Sequence, residues 1–342
     1  MSSGGSSPAP ARKDSAEGGR GLPSAAIAPA QIPDDLFDSI DQTAHRLDLS
    51  AQQIVHDYLL HKGLYGLASQ YPPRSTVPDP GYSTDAGTWA FAGGTSLVSA
   101  HRLVDRWSED IDLVLVPQAG IAKRAARRAQ KHLVQTAAAA LDPDPGQHRW
   151  ESGRDVATVM VATGIGEVRF DASQQPTAPN IIVGAVVASL LGRHADRETV
   201  ADHPELGGFN VPALAVPVTA VNKMMTLHRL ASTGDDERIF ARARDLSDLA
   251  CIAASPHHAS ETRRRAAELA ELLDEGGVSR KGQTPRPDHG YLSGPEFQPG
   301  ASSRTALEDG YLAMQDMLWG TDHPDFEETL AAARSLDQPS GQ

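Results

Sequence analysis

Residues 89–117, WAFAGGTSLVSAHRLVDRWSEDIDLVLVP, limit what this chain can fold into more than any other stretch. Residues 89–92 read as a short apolar strand, Gly93-Gly94 as a tight turn, residues 95–105 as a helix and residues 111–116 as a second strand. Asp110 and Asp112 stand where the second strand begins. Strand side chains alternate between faces, so the two acids share one side while Ile111 takes the other. Their Cα atoms then lie roughly 6.5 to 7 Å apart, a spacing from which two carboxylates can share a pair of divalent cations about 3.5 to 4 Å apart. An oxygen-only donor set suits a hard cation such as Mg²⁺, with Mn²⁺ an alternative. A glycine turn that opens a helix offers unhindered N–H groups at a positive helix end, where phosphate oxygens bind. Thr95 and Ser96 add hydroxyls in the first turn. A phosphate cradle and a metal-binding acid pair joined by one helix predict a nucleoside-triphosphate (NTP) site.

A bare Gly-Gly turn or a lone DxD says little, but the order and spacing here are specific. Gly93-Gly94-Thr95-Ser96 followed by Ser108-Glu109-Asp110-Ile111-Asp112-Leu113 resembles the signature of the polymerase-beta-like nucleotidyltransferase superfamily. Within it, the GGTS…SEDIDL wording is most similar to the abortive-infection AbiEii-type toxins and their MenT-type relatives. A second shared feature is a helix carrying Lys223, paired with a downstream Arg-Asp-Leu-x-Asp-Leu helix at residues 244–249 that bears Asp245 and Asp248.

The resemblance implies an α/β (α+β) fold with a mixed sheet at its nucleotidyltransferase core, N-terminal helices and a C-terminal helical domain. It implies Mg-dependent transfer of a nucleoside monophosphate from an NTP to RNA, with tRNA 3′ ends the leading acceptor. The protein would then be a growth-arresting toxin with a cognate antitoxin as partner. By residue, Asp110 and Asp112 would hold the metal, and Gly93, Gly94, Thr95 and Ser96 the phosphates. Lys223 would contact the triphosphate, and Asp245 would be a site acid or the partner that holds Lys223. A third acid often joins the DxD pair from a later strand in this superfamily; Asp171 is the best placed candidate and Glu167 the runner-up. In some MenT-type systems the antitoxin phosphorylates a serine in this region, which makes Ser108 a regulatory candidate. Two other readings stand beside this one: nucleotidylation of a small molecule such as an aminoglycoside, and an inactive nucleotidyltransferase fold used as a binding module.

Charge bears on the acceptor. The formal net charge of −13 repels nucleic acid, so a polynucleotide partner must meet a local basic patch. The predicted helix at 120–141 supplies a candidate: Lys123, Arg127 and Lys131 on one helical row, Arg124, Arg128 and His132 on the next. It is either a solvated face or an RNA contact. The single cysteine, Cys251, excludes an intrachain disulfide framework and reads as a buried inert thiol. No apolar run is long enough for a membrane span and no signal core opens the chain, so a cytoplasmic protein without a membrane partner is expected.

The rest of the chain organises around this core. Residues 1–32, rich in Ser, Gly, Pro and Ala, predict a disordered tail. Residues 33–75 predict an N-terminal helical segment, with His56 and His61 at the surface or core edge. The core is placed at 76–200, opening on a Pro-rich connection at 71–88 and including strands at 157–163 and 167–172. On the latter, Val168, Phe170 and Ala172 face the core and Arg169 and Asp171 the other side. Residues 180–192 fit strand or helix equally, and 201–335 predict a helical domain, irregular at 275–303 and closing with helices at 307–319 and 326–335.

Overall fold

The computed structural model describes residues 32–71, 83–144, 146, 148–152, 156–176, 180–275, 285–315, 318 and 324–338. The predicted tail through residue 31, most of the 71–88 connection and Trp319 lie outside the described residues.

Two helices lead, α1 (Phe37–Leu47) and α2 (Ala51–Gln70). Ser50 caps α2: its hydroxyl accepts from Gln53 N–H while the Gln53 side chain returns to the Ser50 N–H. Next come β1 (Ser83–Thr84), β2 (Gly87–Ala92), α3 (Gly93–Ser99), β3 (Asp110–Pro117), α4 (Lys123–Ala139), β4 (His148–Ser152), β5 (Ala157–Thr163), β6 (Gly166–Gln174) and β7 (Ile182–Val187). The chain continues through α5 (Leu190–His194), α6 (Arg197–Asp202), β8 (Phe209–Leu214), α7 (Val216–Ser232), α8 (Asp236–Ala241) and α9 (Ala243–Ala254). It closes with α10 (Pro256–Glu275), α11 (Ser302–Ala313) and α12 (Phe326–Ser335).

The strands form one mixed sheet in the order β4-β5-β6-β3-β2-β8-β7, with β1 pairing on β2. β3 runs antiparallel to β2 and parallel to β6, in a register that sets Asp112 beside both Ala92 and Asp171. Alternation divides the sheet between two apolar clusters. Trp89, Phe91, Ile111, Leu113, Leu115, Val168, Phe170 and Ala172 pack against α1, α2 and α4. Ala90, Ala92, Val114 and Val116 pack with α7 and the helices after it. Asp110, Asp112 and Asp171 therefore emerge on this second face, as the strand pattern predicted for each.

The predicted helix at 95–105 stops early, at Ser99. Leu103 N–H returns to Leu97 O and Arg102 adopts φ +54°, a left-handed closure usually given to glycine. Because an arginine takes that role, the stop is not visible in the sequence. The 71–88 connection is not wholly a loop, since β1 and the start of β2 form a hairpin there. Residues 180–192 are first strand, then helix. β8 was unforeseen because Pro212 argues against a strand with neighbours on both sides. It lies past the expected core boundary at 200, yet it is the sheet neighbour of β2. His56 and His61 are buried rather than at the surface: His61 Nδ1 lies 2.8 Å from Asp57 O, and His56 stacks edge-on against Trp107.

Candidate active site

The acid side of the site is built by the register of β3 and β6. Asp110, Asp112 and Asp171 bring carboxylate oxygens within 4.8 Å of one another. Asp171 is fixed by the Thr158 hydroxyl at 2.5 Å and by Arg169 Nε at 2.9 Å. Burial, with Asp110 and Asp171 alongside, pushes the Asp112 carboxyl up to about 7. Three hard oxygen donors stand together here, and the resistance of Asp112 to ionising beside the other two is a strain that a divalent cation relieves, so these residues fit the metal that the motif implies. Glu167, the runner-up, instead pairs with Arg149 at 2.7 Å.

The glycine turn is shaped by its neighbours. Gly93 has φ +70°, and a Cβ there would collide with the Asp112 carboxylate. A Cβ on Gly94 would collide with the Arg106 guanidinium. Both glycines line the cleft. Thr95 and Ser96 do not: they are buried, and their hydroxyls turn inward, Thr95 to Asp110 O at 2.5 Å and Ser96 to Gly93 O at 2.8 Å. Thr95 thus clamps α3 onto β3, and Ser96 closes the first turn of α3 on itself. Ser108 precedes β3 instead of lying on it; its hydroxyl is buried 2.5 Å from that of Thr95, on the cleft wall.

The opposite wall carries a cage of ion pairs. Lys223 of α7 places Nζ 2.5 Å from Asp245 Oδ1 and 2.9 Å from Asp248 Oδ2, both acids on α9. Arg106 forks onto Asp248 at 2.8 and 2.9 Å and donates to Trp107 O. Arg242 approaches Asp245 at 3.5 Å. Burial opposes the charge on Asp248, but Lys223 and Arg106 outweigh it and hold the carboxyl down to about 2. Burial likewise disfavours the charged Lys223, and Asp245 with Asp248 reverses the effect and raises it. The two alternatives for the third acid thus separate in space. Asp171 joins the metal acids, whereas Asp245 holds Lys223.

Arg106 and Arg242 are cleft residues that the sequence reading passed over. The available signal was Asp245 and Asp248 at i and i+3 on one helix, since two acids buried together need cations beside them. The cationic stripe does not line the cleft. Lys123, Arg124, Arg127, Arg128 and Lys131 are exposed on α4, which packs on α2 and on the reverse face of the sheet. Cys251 is only partly buried, where a buried thiol was expected, and burial together with Asp248 pushes its thiol up to about 11.

Among the described residues, no helix is long and apolar enough to cross a membrane. Among solved structures, the MenT4 nucleotidyltransferase toxin from Mycobacterium tuberculosis is 18% identical, covering 86% of this chain and 93% of that one with a TM-score of 0.46. The Bradyrhizobium diazoefficiens CD-NTase CdnG, solved in complex with GTP, is 13% identical over 89% of this chain and 100% of that one, with a TM-score of 0.26. No curated protein sequence matches the chain. Residues 81–332, from β1 through most of α12, match the model of the family described as nucleotidyl transferase AbiEii toxin, type IV TA system. The acid triad, the glycine turn and the Lys223 cage all fall inside that span, and the chain belongs to the AbiEii nucleotidyltransferase toxin family of type IV toxin–antitoxin systems.

Proposed function

We propose that the protein transfers a nucleoside monophosphate from an NTP onto an RNA acceptor, with tRNA 3′ ends the leading acceptor, and that a cognate antitoxin restrains this activity. The observation that carries the reading is a single cleft with Asp110 and Asp112 on one wall, Lys223 on the other and the side-chain-free Gly93-Gly94 turn between them. Asp110 and Asp112, joined by Asp171, would hold Mg²⁺, which when bound neutralises charge on the transferring phosphoryl group and the leaving pyrophosphate. Lys223, locked by Asp245 and Asp248 on the cleft lining, would meet the triphosphate. Asp171 completes the metal set or accepts the proton of the attacking hydroxyl. Thr95 and Ser96 serve the phosphates by holding the turn in place. Arg242 and Arg244 line the cleft as cations suited to a phosphate backbone. Phosphorylation of Ser108 would put a further negative group into the cleft beside Asp110, a direct means for an antitoxin to silence the site.

The test is incubation with Mg²⁺, each α-labelled NTP in turn, and either total tRNA or a panel of aminoglycosides, with Asp112→Ala in parallel. Label on RNA that the variant loses, on the order of 10³-fold or more in rate, supports the reading. Label on a drug, or label nowhere, refutes it. Mass spectrometry of protein coexpressed with its neighbouring gene decides the Ser108 step, because an unmodified serine in an inactive sample removes it.

A further inference from the structure

We infer that the part of the cleft between β6 and the first turns of α7 is a nucleobase pocket, which reads the incoming NTP through Gln175 and Thr219; this rests on the nucleotide reading above. Each residue is only 3% exposed, and both line the cleft. Neither Gln175 Nε2 nor Thr219 Oγ1 has a hydrogen-bond partner among the described residues. Buried polar atoms left without partners are costly and scarce in folded proteins. Two of them on the lining of one cleft, one just past β6 and one on α7, point to a polar ligand held there.

Their positions follow from the elements that carry them. Gln175 keeps the β6 register past the end of the strand, because its N–H donates to Leu115 O at 3.0 Å. It therefore lies on the same face as Asp171, four residues further on, or about 13 Å along the strand. That distance is comparable to the reach of a nucleoside whose α-phosphate sits at the acid triad. Thr219 stands four residues before Lys223 on α7, one helical turn away. The helix that presents Lys223 to the phosphates thus presents Thr219, and with it Asn222, to the nucleoside. Val114 and Leu214 line the same region and give the flat faces of a base apolar surfaces to lie against. A base finds a carboxamide with a donor and an acceptor, a hydroxyl and two aliphatic walls.

The full chain with Mg²⁺ is titrated with ATP, GTP, CTP and UTP, and kcat/KM is measured for each, for wild type and for Gln175→Leu, Gln175→Glu and Thr219→Val. The expected result is a wild type that discriminates among the four. Gln175→Leu should reduce kcat/KM for the preferred NTP by about ten- to a hundredfold and the others less, because a site built to hydrogen-bond a base edge loses its selectivity with the bond. Gln175→Glu, which replaces the donor by an acceptor, should shift the ranking toward bases that present an exocyclic amine. Thr219→Val keeps the side-chain shape and tests the α7 part of the lining independently should the Gln175 variants fold poorly. Equal use of the four NTPs by wild type overturns the pocket, and so does an equal loss on all four in the variants, or no change at all. A wild type that binds no NTP overturns the nucleotide reading of the site, and the pocket with it.

Discussion

Asp112 is where backbone register, steric fit and charge meet. It pairs with Ala92 on one side and Asp171 on the other, and it presses its carboxylate against the Cα of Gly93. Its folded carboxyl titrates near 7 against an ordinary value of 3.8. The penalty for ionising it in the metal-free protein is absent below 3.8, grows between 3.8 and 7 and is complete above 7. Asp112→Asn should therefore raise the melting temperature of metal-free protein at pH 8, by a shift worth about 1 to 3 kcal/mol, while abolishing transfer. Differential scanning calorimetry in EDTA at pH 8 and pH 5 checks the sign, because the gain should shrink at the lower pH. A variant destabilised at both values would refute this account of the triad. Asp110 and Asp112 were legible in the sequence because strand alternation and motif order place them without reference to distant packing, and Lys223 was legible only through the resemblance of its helix pair to the toxin family. Arg106, Gln175 and Thr219 were not, since their roles come from burial against segments far away in the chain.

Among elements, α9 does most to hold the two walls of the site together. Its Asp248 is completely buried and bonded at once to Lys223 of α7 and to Arg106 of the segment entering β3. The early end of α3 makes this contact available, because the chain leaves the helix at Ser99 and runs on to bring Arg106 back against the glycine turn. A helix continued to residue 105 would carry that arginine elsewhere, and for this reason the predicted boundary hid the residue. Asp248→Asn leaves two buried cations short of a counter-charge and should cost about 3 to 5 kcal/mol, the range for breaking a buried pair by removing one partner. Asp248 titrates near 2 in the folded chain, below its ordinary 3.8, so its ion pairs contribute fully above 3.8 and that contribution fades as pH falls through about 2. Urea unfolding of wild type between pH 5 and pH 2 should show a stability loss in this window, and the same series in Asp248→Asn should show less of it. Identical slopes in the two proteins would mean that the pairs contribute nothing.

At the scale of the whole molecule, the sheet separates two sets of cations. Arg242 and Arg244 lie on the cleft, while Lys123, Arg124, Arg127, Arg128 and Lys131 lie on a helix behind the sheet. α4 starts beyond the far end of β3 and runs back behind the sheet, where Gln130 donates to Ala172 O, so the stripe is separated from the site by the sheet itself. At physiological salt, charges are screened beyond about 8 Å, which leaves the stripe almost no field at the triad. The sequence made the stripe conspicuous because helical spacing shows which charges share a row. Which face of the sheet the helix covers is a tertiary fact that spacing does not encode. Replacing all five stripe cations by glutamine takes the net charge from −13 to −13 − 5 = −18, and a purely global charge effect would then weaken RNA binding sharply. The architecture predicts otherwise: kcat and the KM for NTP should stay unchanged, and the KM for tRNA should move by less than about threefold. Arg242→Gln combined with Arg244→Gln should instead raise the KM for tRNA by about tenfold or more and flatten its dependence on log salt by about 1.5 to 2, the change for two lost phosphate contacts. Steady-state transfer measured across a salt series distinguishes these outcomes. A large effect from the stripe with none from the arginine pair would mean that the acceptor wraps behind the sheet and that the cleft takes only its end.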